Sequence, residues 1–144
     1  MVEQYKPMIT DYFYISNLIK NYVQKNEVEY WDTEYIRFEF YSASKSKEYD
    51  AKGLAKALDA TENQVQNFFV VHCCLSNYLY DLIGDREYST WFVEDGSLNV
   101  SYSNDMTEQY DIADISLLMK KTEEANWSFS ALVESWNEIH KQNT

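Results

Sequence analysis

The chain has 144 residues, 24 of them acidic and 12 basic, a net charge of −12 and a hydrophobic share of 45%. That length fits one ordinary α+β domain, which buries roughly 70% of its unfolded surface and needs no disulfide or metal to fold. The charge repels nucleic-acid phosphates and anionic membranes. No apolar run approaches the roughly 20 residues of a membrane span, and Met1 opens a polar segment unlike a secretory signal, so a cytoplasmic protein is expected.

Glycine occurs three times and proline once, so no linker or low-complexity segment divides residues 1–144. Pro7 marks a helix start, and Ile15, Leu18, Ile19, Tyr22 and Val23 recur at helical spacing as far as Lys25. Val28 to Tyr41 is rich in β-branched and aromatic residues. There Ile36, Phe38 and Phe40 alternate with Arg37, Glu39 and Tyr41 as in a half-buried strand. Asp32-Thr33 is the expected break between two short strands, and polar Ser42 to Tyr49 reads as a loop. Asp50 caps a short helix to about Leu58. Thr61, with Gln64 as its reciprocal partner, starts the next helix. That helix carries Val65, Phe68, Phe69, His72, Leu75, Leu79 and Leu82 on one broad face, and Gly84 ends it. Tyr88–Glu94 and Ser97–Tyr102 flank Asp95-Gly96, a strong hairpin signal. The remainder reads as helical. Ile115, Leu118 and Met119 face inward from Ile112 to Glu124. Ser128 then caps a last helix with Leu132, Val133, Trp136 and Ile139 inward.

The segment Leu54 to Phe68 resembles a helix-turn-helix. A small residue, Ala55, stands where two helices pack closely, Leu54, Leu58, Val65 and Phe68 hold the apolar positions, and Thr61 caps the second helix. Asp59 stands where that family usually has a glycine in a left-handed turn. With it, the order helix, strand, helix, helix, hairpin resembles a winged helix over 1–104, followed by a helical part over 105–144. Such a resemblance implies a DNA-binding regulator reading bases through Asn63, Gln64 and Asn67. Against that use, no Arg or Lys occurs from Asp59 through Asp85, and affinity for DNA comes largely from neutralising phosphates.

Acid is concentrated toward the other end, with eleven acidic and four basic residues over 86–144. Asp105, Glu108, Asp111 and Asp114 recur every third residue and form a candidate negative row, with Tyr102 and Tyr110 as aromatic anchors. The chain carries 13 Tyr, 7 Phe and 4 Trp, and exposed Tyr and Trp often anchor partner proteins.

Enzyme signatures are missing. Cys73 and Cys74 are neighbours that point about 100° apart on a helix and read as reduced core thiols. His72 reads as a core histidine and His140 as a helix-end residue. No Cys/His spacing suits zinc, and no glycine-rich phosphate loop is present, so no catalytic residue, cofactor or metal is expected. In composition the chain is similar to small acidic phage anti-defence proteins, including anti-CRISPR inhibitors, and to immunity proteins. That likeness implies a non-enzymatic inhibitor, with possible DNA mimicry, that blocks a basic, nucleic-acid-binding site such as that of a nuclease. The alternatives are the winged-helix regulator and a structural or assembly protein. The oligomeric state, dimer included, stays open.

Overall fold

Twenty residues of alternating apolar and polar character open the fold as α1 (Lys6–Lys25). Pro7 lies in its first turn, where a missing N–H is harmless, and Ile9, Tyr12, Ile15 and Ile19 are buried. The computed structural model describes residues 5–43, 45–83, 88–94, 97–102, 107–121 and 128–142.

Three strands follow, β1 (Tyr30–Glu34), β2 (Arg37–Ser42) and β3 (Lys45–Tyr49), as an antiparallel meander in the order β1-β2-β3. The break between the first two falls at Tyr35-Ile36, not at Asp32-Thr33, which are paired with Glu39 and Phe38. Tyr35 takes a positive φ of 52°, a left-handed turn made without the glycine or asparagine that would have announced it. The Thr33 hydroxyl donates to the Arg37 carbonyl at 2.7 Å and ties this hairpin's mouth. The expected loop at 42–49 holds a strand. Lys45 to Glu48 are exposed, and the backbone ladder to β2, rather than burial, holds them. An edge strand held in this way has no need of alternating hydrophobicity.

α2 (Ala51–Leu58) starts as expected, with the Asp50 carboxylate accepting from the Gly53 N–H at 2.8 Å. It stops at Asp59, whose φ of 57° and ψ of 49° are left-handed. The turn delivers the chain to α3 (Glu62–Ile83). There the reciprocal cap is in place, Gln64 N–H to the Thr61 hydroxyl and Thr61 N–H to the Gln64 side-chain oxygen, both 3.1 Å. The Asp95-Gly96 hairpin turn and Gly84 lie outside the described residues, but β4 (Tyr88–Glu94) and β5 (Ser97–Tyr102) pair antiparallel across it.

The expectation that everything after this hairpin is helical is corrected by β6 (Thr107–Tyr110), which pairs with β5 in a second meander, β4-β5-β6. Four residues with three exposed side chains give too short and too polar a pattern to read as a strand. Then come α4 (Ile112–Lys121) and α5 (Phe129–Gln142). The α+β class is as expected; the element order departs from helix, strand, helix, helix, hairpin. The strand segment after α1 forms its own sheet and does not join the β4–β5 hairpin.

One buried cluster takes side chains from both sheets and all five helices, including Ile15, Phe38, Leu54, Phe68, Val100, Ile115 and Leu132. α3 is its axis, with Val65, Phe68, Phe69, Val70, Val71, Cys74 and Leu75 buried. Full burial of such side chains stabilises by about 1.5–3 kcal/mol each. Around Phe68 the rings of Tyr12, Trp31, Phe38 and Phe69 lie 5.2 to 6.3 Å away, the spacing at which aromatic pairs add to area burial. Both cysteines are free, Cys74 buried and Cys73 half-buried.

Candidate functional site

The alternation in β1 and β2 sorts their side chains onto two faces. Trp31, Phe38, Phe40 and Tyr49 turn to the core. The outer face carries Tyr30, Asp32 and Glu34 on β1, Arg37, Glu39 and Tyr41 on β2, and Ser46 and Glu48 on β3. Register makes three rows of these. Tyr30, Tyr41 and Ser46 are cross-strand partners, as are Asp32, Glu39 and Glu48, while Glu34 faces Arg37.

The middle row sets three carboxylates directly side by side, an arrangement that destabilises a sheet. Arg37 offsets part of it through Glu48 at 3.7 Å. Its guanidinium also lies over the Trp136 ring, 5.7 Å from the centroid, which draws α5 against this face. Among the described residues no group of three or more His, Cys, Asp or Glu side chains is arranged to hold a metal ion. Beside it Tyr30, 57% exposed, stacks on Tyr41 with centroids 4.5 Å apart. A hydrogen bond to the Glu39 carboxylate, with burial and nearby negative charge adding to it, raises the Tyr41 hydroxyl above its ordinary pKa. The result is a shallow hollow of about 100 Å³ with Asp32, Glu34, Glu39 and Glu48 on its walls.

The row expected at 105–114 is divided between different elements. Asp105 lies outside the described residues, and Tyr102 ends β5 with its side chain outside them. Glu108 is exposed on β6 and accepts from the Tyr110 hydroxyl at 2.5 Å. Tyr110 is packed partly against the core. Asp111 and Asp114 cap α4 reciprocally, Asp114 N–H to Asp111 at 2.9 Å and Asp111 N–H to Asp114 at 3.0 Å. Both remain exposed, but their carboxylates are fixed on backbone donors at a helix start.

Of the three base-reading candidates, Asn63 is exposed. Gln64 is held in the α3 cap, and the Asn67 amide donates to the Asp11 carboxylate at 2.7 Å. Two of the three side chains are thus engaged within the fold.

His72, expected as a core histidine, is half-buried, with its ring packed among aromatic side chains. Its ring lies 5.5 to 6.2 Å from those of Trp31, Phe68 and Tyr12. Burial lowers its pKa from 6.5 to about 4 and raises the thiol of Cys73. His140 lies in the last turn of α5, 3.9 Å from the Trp136 ring between centroids.

Sequence reasoning missed the outer face of β1-β2-β3. The outward alternation of Arg37, Glu39 and Tyr41 was visible. The register that adds Asp32 and Glu48 depends on a turn and an edge strand that carry no local signal. No helix among the described residues is long and apolar enough to cross a membrane. No protein-family model, curated protein or solved structure matches this chain.

Proposed function

We propose that this chain is a non-enzymatic binding protein that blocks a basic, nucleic-acid-binding site on another protein, with the outer face of β1-β2-β3 as its contact surface. The observation that carries the reading is the row Asp32, Glu39 and Glu48 beside the stacked Tyr30–Tyr41 pair. A row of like charges costs the free protein stability. A cationic partner removes that cost on binding and turns it into affinity. Carboxylates spaced along a sheet steer a basic surface into contact. Exposed Tyr30, stacked on half-buried Tyr41, supplies apolar area that slows dissociation. The acid at Glu108, Asp111 and Asp114 adds to the long-range field without being the docking row.

The test uses purified nucleic-acid-binding proteins with open basic channels. A partner that binds this chain should lose its nucleic acid, and duplex DNA should compete for it. The triple variant Asp32→Lys/Glu39→Lys/Glu48→Lys should keep its circular dichroism and lose binding. Unchanged binding by the folded triple variant removes this face from consideration.

The regulator reading has one observation in its favour, the tight α2–α3 turn with Asp59 in the left-handed conformation. Sequence-dependent retardation of the chain's own upstream DNA at moderate salt would rank it first.

A further inference from the structure

Beside the outer face, between the β1–β2 turn and α3, lies an open cavity of about 220 Å³. Glu34, Tyr35, Phe69, His72, Cys73 and Ser76 line it. Thr33 and Glu34 also line the smaller hollow that holds Asp32, Glu39 and Glu48, so the two depressions adjoin along the end of β1. We propose that the cavity receives the guanidinium of one arginine side chain carried by the cationic partner, with Glu34 at the mouth and the Tyr35, Phe69 and His72 rings as walls. The proposal rests on the reading above and names the chemistry of its anchor.

Size selects the occupant first. Drug-sized ligands and cofactors occupy roughly 300–1,000 Å³; this cavity is below that range and suits one side chain. Charge selects next. Glu34 is exposed at the rim, and the adjoining hollow adds three more carboxylates against a single cation, Arg37, which bridges Glu48, so the net field draws a cation in and repels an anion. His72 keeps a neutral ring down to about pH 4, so at pH 7 it is an aromatic wall and not a competing positive charge. Shape then separates arginine from lysine. A planar, weakly hydrated guanidinium stacks on aromatic faces and pairs with a carboxylate in the same pose, which a compact, strongly hydrated ammonium does less well. The fold already makes such a contact next door, where Arg37 lies over Trp136.

Cys73 lines the cavity while Cys74 is buried, so the site carries its own reporter. The experiment follows alkylation of Cys73 by iodoacetamide in the full chain at about pH 8.5, near the ordinary thiol pKa. Fragment-ion mapping assigns the label to one cysteine. N-acetyl-arginine amide is the probe, with the citrulline and lysine amides as controls. Arginine amide should slow labelling, by about tenfold at ten times its Kd from mass action. Citrulline amide should leave the rate unchanged, lysine amide should protect less, and in Glu34→Gln the arginine amide should give no protection relative to that variant's own unliganded rate. The amide shifts of Phe69 and Cys73 on titration give a second measure and should move with arginine alone. Equal protection by citrulline amide, no protection by arginine amide, or a Cys73 that does not react in the native chain would each overturn the proposal. If arginine amide fails while a cationic protein still binds through Glu39 and Glu48, the cavity is not the receptor and the sheet-face reading stands. Loss of cationic-protein binding altogether removes both.

Discussion

Acid should weaken this fold through His72 before most of its carboxylates titrate. The imidazole sits among the rings of Tyr12, Trp31 and Phe68, and burial holds its pKa at about 4 against an ordinary 6.5. Above pH 6.5 the ring is neutral in both folded and unfolded chains and contributes no pH dependence. Between 6.5 and 4 the unfolded chain binds a proton that the native one refuses, so stability falls with acid by about 1.4 kcal/mol per pH unit. The loss is complete at about pH 4 and totals about 3 kcal/mol. From about pH 7.5 to about pH 5, above the ordinary carboxylate range, the loss from this group should be about 2 kcal/mol. Urea denaturation followed by tryptophan fluorescence measures it, with His72→Phe as the comparison. Phenylalanine keeps a ring in the stack and removes the titration. Glu34 and Cys73 beside the cavity, Tyr12 on α1 and the exposed His140 are common to both proteins, so the difference in slope isolates His72. Any change in overall stability caused by the substitution shifts the intercept and leaves the comparison intact. Parallel stability curves for the two proteins over that range would refute the reasoning.

Glu39→Gln removes the middle charge of the carboxylate row and should raise stability by a few tenths to about 1 kcal/mol. The same variant should bind a cationic partner more weakly, a trade that a purely structural residue would not show. Asp59→Gly relieves a left-handed backbone and should stabilise by about 0.5–1 kcal/mol, read as a higher Tm. Phe68→Ala opens the middle of the aromatic cluster and should cost about 3–5 kcal/mol, read as a lower urea midpoint at unchanged secondary structure.

The helices were legible in the sequence because their ends carry their own chemistry. Asp50, Thr61 with Gln64, and Ser128 cap as their side chains require. Val65, Phe68 and Leu75 repeat at a spacing that only a helix turns to one side. Strands announced themselves only where one face is buried, as Phe38 and Phe40 did. Lys45 to Tyr49 and Thr107 to Tyr110 are strands because a neighbour offers its backbone, and nothing in four or five polar residues records that neighbour. The sheet face proposed as the contact surface was hidden from the sequence for the same reason. Reading along the chain grouped Asp105, Glu108, Asp111 and Asp114; of the described three, Glu108 belongs to β6 while Asp111 and Asp114 cap α4. The carboxylates that stand shoulder to shoulder come from positions 32, 39 and 48, joined by a turn at Tyr35-Ile36 that lacks the usual turn residues. Asp59 takes the αL conformation although it stands where the helix-turn-helix pattern usually has glycine; the Gln64 cap was legible from Thr61, whereas the Asn67 contact with Asp11 on α1 was not.

α3 has a consequence for how the molecule opens. It touches α1, α2 and α5, and its Phe68 and His72 rings reach Trp31 on the first sheet. A helix held from so many sides cannot fray by itself, because release of any one neighbour leaves the others gripping it. Amide protons from Phe68 to Leu75 should therefore exchange with deuterium only when the whole chain unfolds, while those of the exposed edge strand β3 exchange through small local excursions.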